Sequence, residues 1–136
     1  MGLTLEVMRG SKIVAVVGIS TNPSKPSYQV AHYLKSQGYT IIPVNPNLHE
    51  VLGEQCYPNL LAIPQKVDIV DIFRRSEDVS PVVEEAISIK AKAVWMQLGI
   101  YNQEAADRAR ANGVNVVMDM CMSVEHRRLV NSGHLH

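Results

Sequence analysis

The sequence predicts an α/β protein with a doubly wound, mostly parallel sheet of five strands, Rossmann-like and folded as a single domain. Three observations predict it. Short runs of β-branched and apolar residues recur five times along the chain. The runs are continuously apolar rather than alternating, as in strands covered on both faces. Segments with helical spacing fall between them, the alternation that builds a parallel sheet through right-handed crossovers.

In chain order, residues 13–18 (IVAVVG) form the first strand, and residues 28–37 the first crossover helix, with Val30, Ala31 and Leu34 on one stripe. Gly38 caps that helix, and residues 40–44 (TIIPV) are the second strand. Residues 49–64 read as a turn-rich connection with one helical turn. The third strand is 67–73 (VDIVDIF), where Asp68 is a strand-start residue and Asp71 has no assigned role. A helix over 80–90 carries Val83, Ala86 and Ile87 on one side, with Glu84 and Glu85 read as acids near a helix start. The fourth strand is 93–97 (AVWMQ), with Trp95 in the core. Asn102 and Glu104 open a further helix, Gly113 ends it, and 114–118 is the fifth strand. This divides the chain into an N-terminal segment 1–11, a domain 12–130 and a tail 131–136 that is expected to fray.

Composition narrows the function. The 136 residues carry 13 Lys+Arg against 13 Asp+Glu, so the broad basic excess suited to nucleic acid is missing. With 46% hydrophobic and 19% charged residues the chain is expected to fold as a globular domain. No apolar run approaches the roughly 20 residues that cross a bilayer, so a cytoplasmic protein with no membrane partner is expected. Cys56 and Cys121 lack CxxC spacing, which fits a reducing compartment. The five histidines are scattered without metal-ligand spacing, and His126 in SVEHRRL reads as part of a solvated helix face.

In doubly wound sheets the ligand crevice lies beyond the carboxyl ends of the strands. Those ends carry Gly18, Ile19 and Ser20; Asn45, Pro46 and Asn47; Phe73, Arg74 and Arg75; Gln97, Leu98 and Gly99; and Asp119, Met120 and Cys121. The first loop has one glycine where the dinucleotide fingerprint has three, followed by the hydroxyl-rich STNPSKPS. Pro26 suits the first helical position, leaving free N–H groups at Ser27, Tyr28 and Gln29 for a phosphate. The same pattern also describes an ordinary strand-to-helix turn. The second strand ends in VNPN, without the acid that holds an NAD ribose; the next acid is Glu50. Lys25, Arg74 and Arg75 are cations suited to a phosphorylated ribose, although the two arginines also read as solvated residues opening the next helix.

Taken together, VAVVGIS, NPSKPSYQVAHYL, GYTIIPVNPN, LGEQCYPNL, VDIVDIFRR, AKAVWMQLGI and VVMDMCMSVEHRRL resemble, in order and spacing, the CoA-binding domain family of small stand-alone proteins. That family is related to the nucleotide domain of succinyl-CoA synthetase. The resemblance implies that Gly18, Ile19, Ser20 and Pro23 line the diphosphate of coenzyme A or an acyl-CoA, with Asn22 and Lys25 in the same loop and Ser27 and Tyr28 opening the helix. It places Val44, Asn45 and Pro46 beside the adenosine and Phe73 and Arg74 on the adenine and phosphate side, where the adjacent Arg75 is a further candidate cation. Gln97, Gly99 and Cys121 fall on the pantetheine side. Met120 stands where members commonly carry an arginine.

Cys121 is positioned for a mixed disulfide with the CoA thiol, or else is a small buried hydrophobe. No catalytic constellation is legible. The function expected is a binding module, monomeric or homodimeric, that senses or buffers the cofactor. The alternatives are an NAD(P)-linked oxidoreductase and a component of an acyl-CoA ligase acting with a partner.

Overall fold

The structure, a computed structural model, describes residues 2–136. The chain runs α1 (Gly2–Met8), β1 (Ile13–Val17), α2 (Pro26–Ser36), β2 (Thr40–Val44), β3 (Glu50–Val51), β4 (Glu54–Gln55), β5 (Ile69–Ile72), α3 (Val79–Ser88), β6 (Ala93–Met96), α4 (Gln103–Ala111), β7 (Asn115–Val117) and α5 (Met122–Asn131). Five strands form one parallel sheet in the order β2-β1-β5-β6-β7, with registers such as Val16 opposite Asp71 and Asp71 opposite Trp95. The order reverses between β1 and β5, the switch point at which doubly wound sheets bind ligands.

Both faces of the sheet are covered, which is why its strands read as unbroken apolar runs. On one face Ala15, Val70, Ile72, Val94 and Met96 pack against Val83 and Ala86 of α3 and Ala106 and Ala109 of α4. On the other, Val14, Val16, Ile69 and Trp95 pack against Val30, Ala31 and Leu34 of α2 and Met122 and Leu129 of α5. Trp95 is fully buried, as expected, and its Nε1–H donates to the Met120 carbonyl at 2.9 Å.

Several expectations need correcting. Glu84 and Glu85 lie in the second half of α3, not at its start; they are tertiary contacts, Glu84 binding Arg108 of α4 and Glu85 accepting the Leu60 N–H. The helix start is instead preceded by Glu77 and Asp78 in a 3-10 turn. His126 is not on a solvated face: it is 2% exposed, its Nδ1 is 2.8 Å from the Tyr33 hydroxyl, and the edges of Tyr33 and Tyr39 meet its ring. Burial, and then the Arg127 charge, holds its pKa below the usual histidine value.

The N-terminal segment contains α1, which buries Val7 and Met8 in the same core as α5. In the tail, the His134 and Leu135 N–H groups both donate to the Leu129 carbonyl, folding it back. The connection after β2 contains the expected single helical turn, Leu60–Ala62, capped by Asn59. It also contains a two-stranded hairpin, β3-β4, whose turn residues Leu52 and Gly53 both have positive φ. A leucine in that conformation disguises the Asn-Gly signature that marks such turns.

Candidate functional site

The crevice is built from the carboxyl ends of β1, β2, β5 and β6. At the end of β1, Gly18 has φ +84°, and a Cβ there would sit 2.2 Å from the Phe73 carbonyl oxygen. Its N–H donates to Val44 O, while Phe73 N–H donates to Val17 O. Glycine is therefore required by the close approach of β5 as well as by the turn, and the ends of β2, β1 and β5 meet at this point.

Beyond Gly18 the loop is organised by its own side chains. The Ser20 N–H donates to Ser27 Oγ at 3.0 Å, the Asn22 N–H to Ser20 Oγ, and the Ser24 N–H and hydroxyl both to Asn22 Oδ1. Gln29 Nε2 donates to the Pro23 carbonyl. Pro26 occupies the first turn of α2, and Lys25 precedes it without a side-chain cap. The backbone N–H groups of Ser27 and Tyr28 have no acceptor among the described residues, whereas that of Gln29 is already donated to Lys25 O. Two free amides, not three, thus face out of the helix start. Tyr28 is half-buried, stacks on His32 and borders a hollow of about 250 Å³ with Pro23, Gln29 and His32.

At the end of β2, Asn45 Nδ2 donates to the Ile19 carbonyl at 2.9 Å, and its Oδ1 accepts the Asn47 N–H. This neutral clamp ties the second-strand turn to the first loop where a carboxylate would stand in an NAD site. Val44 is buried and Pro46 exposed.

After β5, Phe73 and Arg74 are half-buried and Arg75 is exposed. Arg75 Nε is engaged by Asp78 at 3.0 Å and Glu77 at 3.2 Å. Arg74 and Lys25 make no ion pair among the described residues, so they are the cations free to meet an anion.

On the β6 side, Gln97 is 4% exposed and its Nε2 donates to Asp71 Oδ1 at 2.7 Å. Asp71 is fully buried in β5 and its Oδ2 has no hydrogen-bond partner. Burial pushes this carboxyl up to about 7, with the Gln97 hydrogen bond opposing the shift. From sequence alone Asp71 has no assigned role. The signal was present, because an acid inside a strand buried on both faces must have a partner or a purpose. Asp68, by contrast, fills the expected strand-start role, its Oδ2 accepting the N–H groups of Lys12 and Ile13.

Gly99 has φ +85°, and its N–H donates to Asp119 Oδ1 at 2.7 Å, joining the loops after β6 and β7. Leu98 beside it is 71% exposed. Cys121 is a free, half-buried thiol preceding α5, with Sγ 3.3 Å from Ser123 Oγ. The other thiol, Cys56, is buried, and burial raises its pKa. Met120 is half-buried in the core of this face, so the position holds an apolar contact rather than a charge.

Two larger hollows lie away from this crevice. One of about 380 Å³, bordered by Lys12, Tyr39 and His126, sits at the amino end of the sheet, and one of about 490 Å³ follows the β7 edge between Leu3 and Tyr101. Among the described residues no group of three metal-ligating side chains forms, and no helix is long and apolar enough to cross a membrane.

Known proteins share the sequence and the fold of this chain. The chain is 40% identical over 121 residues to the uncharacterized protein YneT of Bacillus subtilis, covering 89% of this chain and 90% of that protein. It is 40% identical over 117 residues to acetate–CoA ligase [ADP-forming] II of Archaeoglobus fulgidus, covering 77% of this chain but 17% of the ligase. A hypothetical protein of Pyrococcus horikoshii superposes with a TM-score of 0.90 at 41% identity, over 93% of this chain and 89% of that one. Residues 12–127 match the family described as CoA binding domain, and the chain belongs to that family.

Proposed function

We propose that the protein is a stand-alone coenzyme A-binding module that senses or buffers the cofactor. The observation that carries this reading is the neutral Asn45 clamp at the end of β2, together with Lys25 in the loop after β1 and Arg74 after β5, neither ion-paired among the described residues. An NAD ribose needs an acid there, whereas the 3′-phosphorylated ribose of coenzyme A needs cations and no acid. The free N–H groups of Ser27 and Tyr28 at the start of α2 suit the diphosphate. Gly18, Ile19, Ser20, Asn22 and Pro23 would support it, and Val44, Asn45, Pro46 and Phe73 would flank the adenosine. Gln97, Gly99 and Cys121 would take the pantetheine arm. Arg75 would join the phosphate side only by giving up Glu77 and Asp78.

Binding chemistry suffices for this role: the protein orients and holds, and no proton or group is transferred. Cys121 forms a mixed disulfide with CoA only if an oxidised CoA disulfide is supplied, its thiolate displacing one CoA thiolate. Two free thiols also fit a reducing, cytoplasmic setting.

A thermal-shift panel of CoA, acetyl-CoA, NAD, NADP and ATP tests the reading. A ligand specific for the folded state adds about 2.7 kcal/mol at a hundredfold excess over Kd. CoA should raise Tm and NAD should not; the reverse would overturn the assignment. The likeness to the A. fulgidus ligase favours a second reading, an acyl-CoA ligase component. Under it, acetyl-CoA, ADP and phosphate would yield ATP once a complementary nucleotide-binding chain is added.

A further inference from the structure

Gln97 bridges the interior and the crevice. Its Nε2 is bound to Asp71 Oδ1, and its Oε1 has no partner among the described residues, yet it is not among the buried unsatisfied atoms and so reaches solvent at the end of β6. Below it, Asp71 Oδ2 is sealed from solvent and unpaired. A side-chain amide is a donor at one end and an acceptor at the other, so whatever Asp71 requires of one end dictates what the other end presents outward.

We propose that Asp71 and Gln97 form a proton-controlled selector, in which the charge state of Asp71 decides whether Gln97 offers the ligand an acceptor or a donor. With the carboxylate ionised, Nε2 points inward and Oε1 accepts an N–H or S–H from the ligand. With the carboxyl group protonated by solvent, its O–H donates to Oε1, the amide turns over, and Nε2–H is offered to a carbonyl oxygen. Resting on the coenzyme A reading and on Gln97 lying on the pantetheine side, the ionised form favours the free thiol and the protonated form favours an acyl thioester, which has a carbonyl and no S–H. Asp71 is the positioning residue, and Gln97 the one that touches ligand.

The electrostatic surroundings leave this pair to itself. The facing residues of β1 and β6 are Val14, Val16 and Trp95. On α2, Tyr28 and His32 stack on one another and Tyr33 is engaged with His126. On α5, Glu125 is held by Arg128 and Thr4, and Arg127 lies over the Tyr33 ring. Arg74 lies in the loop after β5 and Cys121 lies by Ser123. The causes of the Asp71 shift are burial and Gln97 alone, and the resulting value of about 7 puts the transition in the neutral range.

The test has two readouts. The side-chain 15N–H resonances of Gln97 are followed from pH 5 to 9 in the ligand-free protein and in Asp71→Asn, which keeps an acceptor of the same shape without titrating. Calorimetry then gives Kd for CoA and acetyl-CoA at pH 6 and pH 8. In the wild type the Gln97 amide should titrate once near neutrality, and the preference for CoA over acetyl-CoA should grow roughly tenfold from pH 6 to pH 8, the size of one hydrogen bond. Both effects should vanish in Asp71→Asn, and Gln97→Met should lose the pH-dependent preference while Asp71 still titrates. A Gln97 resonance that does not move, or a constant preference with both ligands bound, overturns the selector alone. Absence of binding by either ligand at both pH values removes the coenzyme A reading and the selector with it.

Discussion

The two sides of the crevice are built on opposite principles. The first loop is exposed, and its polar groups satisfy one another over short sequence distances, as in the chain of Ser20, Asn22 and Ser24. Under the proposed coenzyme A reading its ligand-facing groups are the backbone amides of Ser27 and Tyr28, so side-chain identity there matters little to them. The β5–β6 side is buried and long-range: Asp71 and Gln97 are 26 residues apart, and one carboxyl oxygen has no partner among the described residues. A loop whose bonds exchange with water tolerates change, whereas a buried half-satisfied pair makes stability, and under the proposed selector ligand preference, depend on one proton.

The largest effect should come from the seam between the two sides. Gly18→Ala places a Cβ 2.2 Å from a backbone oxygen at a positive φ, and a loss of roughly 3 kcal/mol is expected from strain and displaced strand ends. Urea unfolding monitored at Trp95 measures it. A change under 1 kcal/mol would show that the seam is loose.

The buried side should reveal itself next, through pH. Because burial raises the folded-state pKa of Asp71 from near 4 to about 7, the unfolded chain gives up that proton first. The contribution of this group to stability is therefore complete below about pH 4 and is lost as pH rises through about 7. Between pH 5 and 7 the wild type should lose stability, and Asp71→Asn should not. At pH 8 the variant should melt several degrees higher, by about 4 °C for each kcal/mol recovered. Equal pH slopes in the two proteins would place the Asp71 pKa outside this range. Glu125 acts in the opposite sense, its pKa lowered chiefly by Arg128, so its contribution is lost only as pH falls below the ordinary glutamate range.

The contrast also orders the fold by how far it was legible from sequence. The strands, their continuous apolar character and the α2 stripe follow from local pattern, and Asn102 caps α4 as expected, its Oδ1 accepting the Ala105 N–H at 2.9 Å. Gly18 was legible as a turn residue, but its contact with Phe73 was not, because 55 residues separate the two and only the sheet order joins them. The roles of Glu84, His126 and Asp71 are hidden from local sequence for the same reason: each is defined by a partner on another element. In α1, seven residues with no acid in the first turn and no base in the last give little local helical signal, and its burial against α5 supplies the rest.

Smaller effects belong to the exposed side. Lys25→Ala and Arg74→Ala should each weaken CoA binding about tenfold, the worth of one charge-assisted contact, while leaving the urea midpoint nearly unchanged because neither residue is ion-paired. Arg75→Ala should weaken binding less, since its guanidinium is held by Glu77 and Asp78. Least of all, Ser24→Ala removes an exposed bond to Asn22 and should change stability by less than about 0.5 kcal/mol.

The most direct measurement is a calorimetric titration of the purified protein with CoA, 3′-dephospho-CoA and NAD under identical conditions. One CoA per chain, bound about a hundredfold more tightly than dephospho-CoA through Lys25 and Arg74 together, with no heat from NAD, is the predicted result. Binding of NAD without CoA, or equal affinity for CoA and dephospho-CoA, would contradict it.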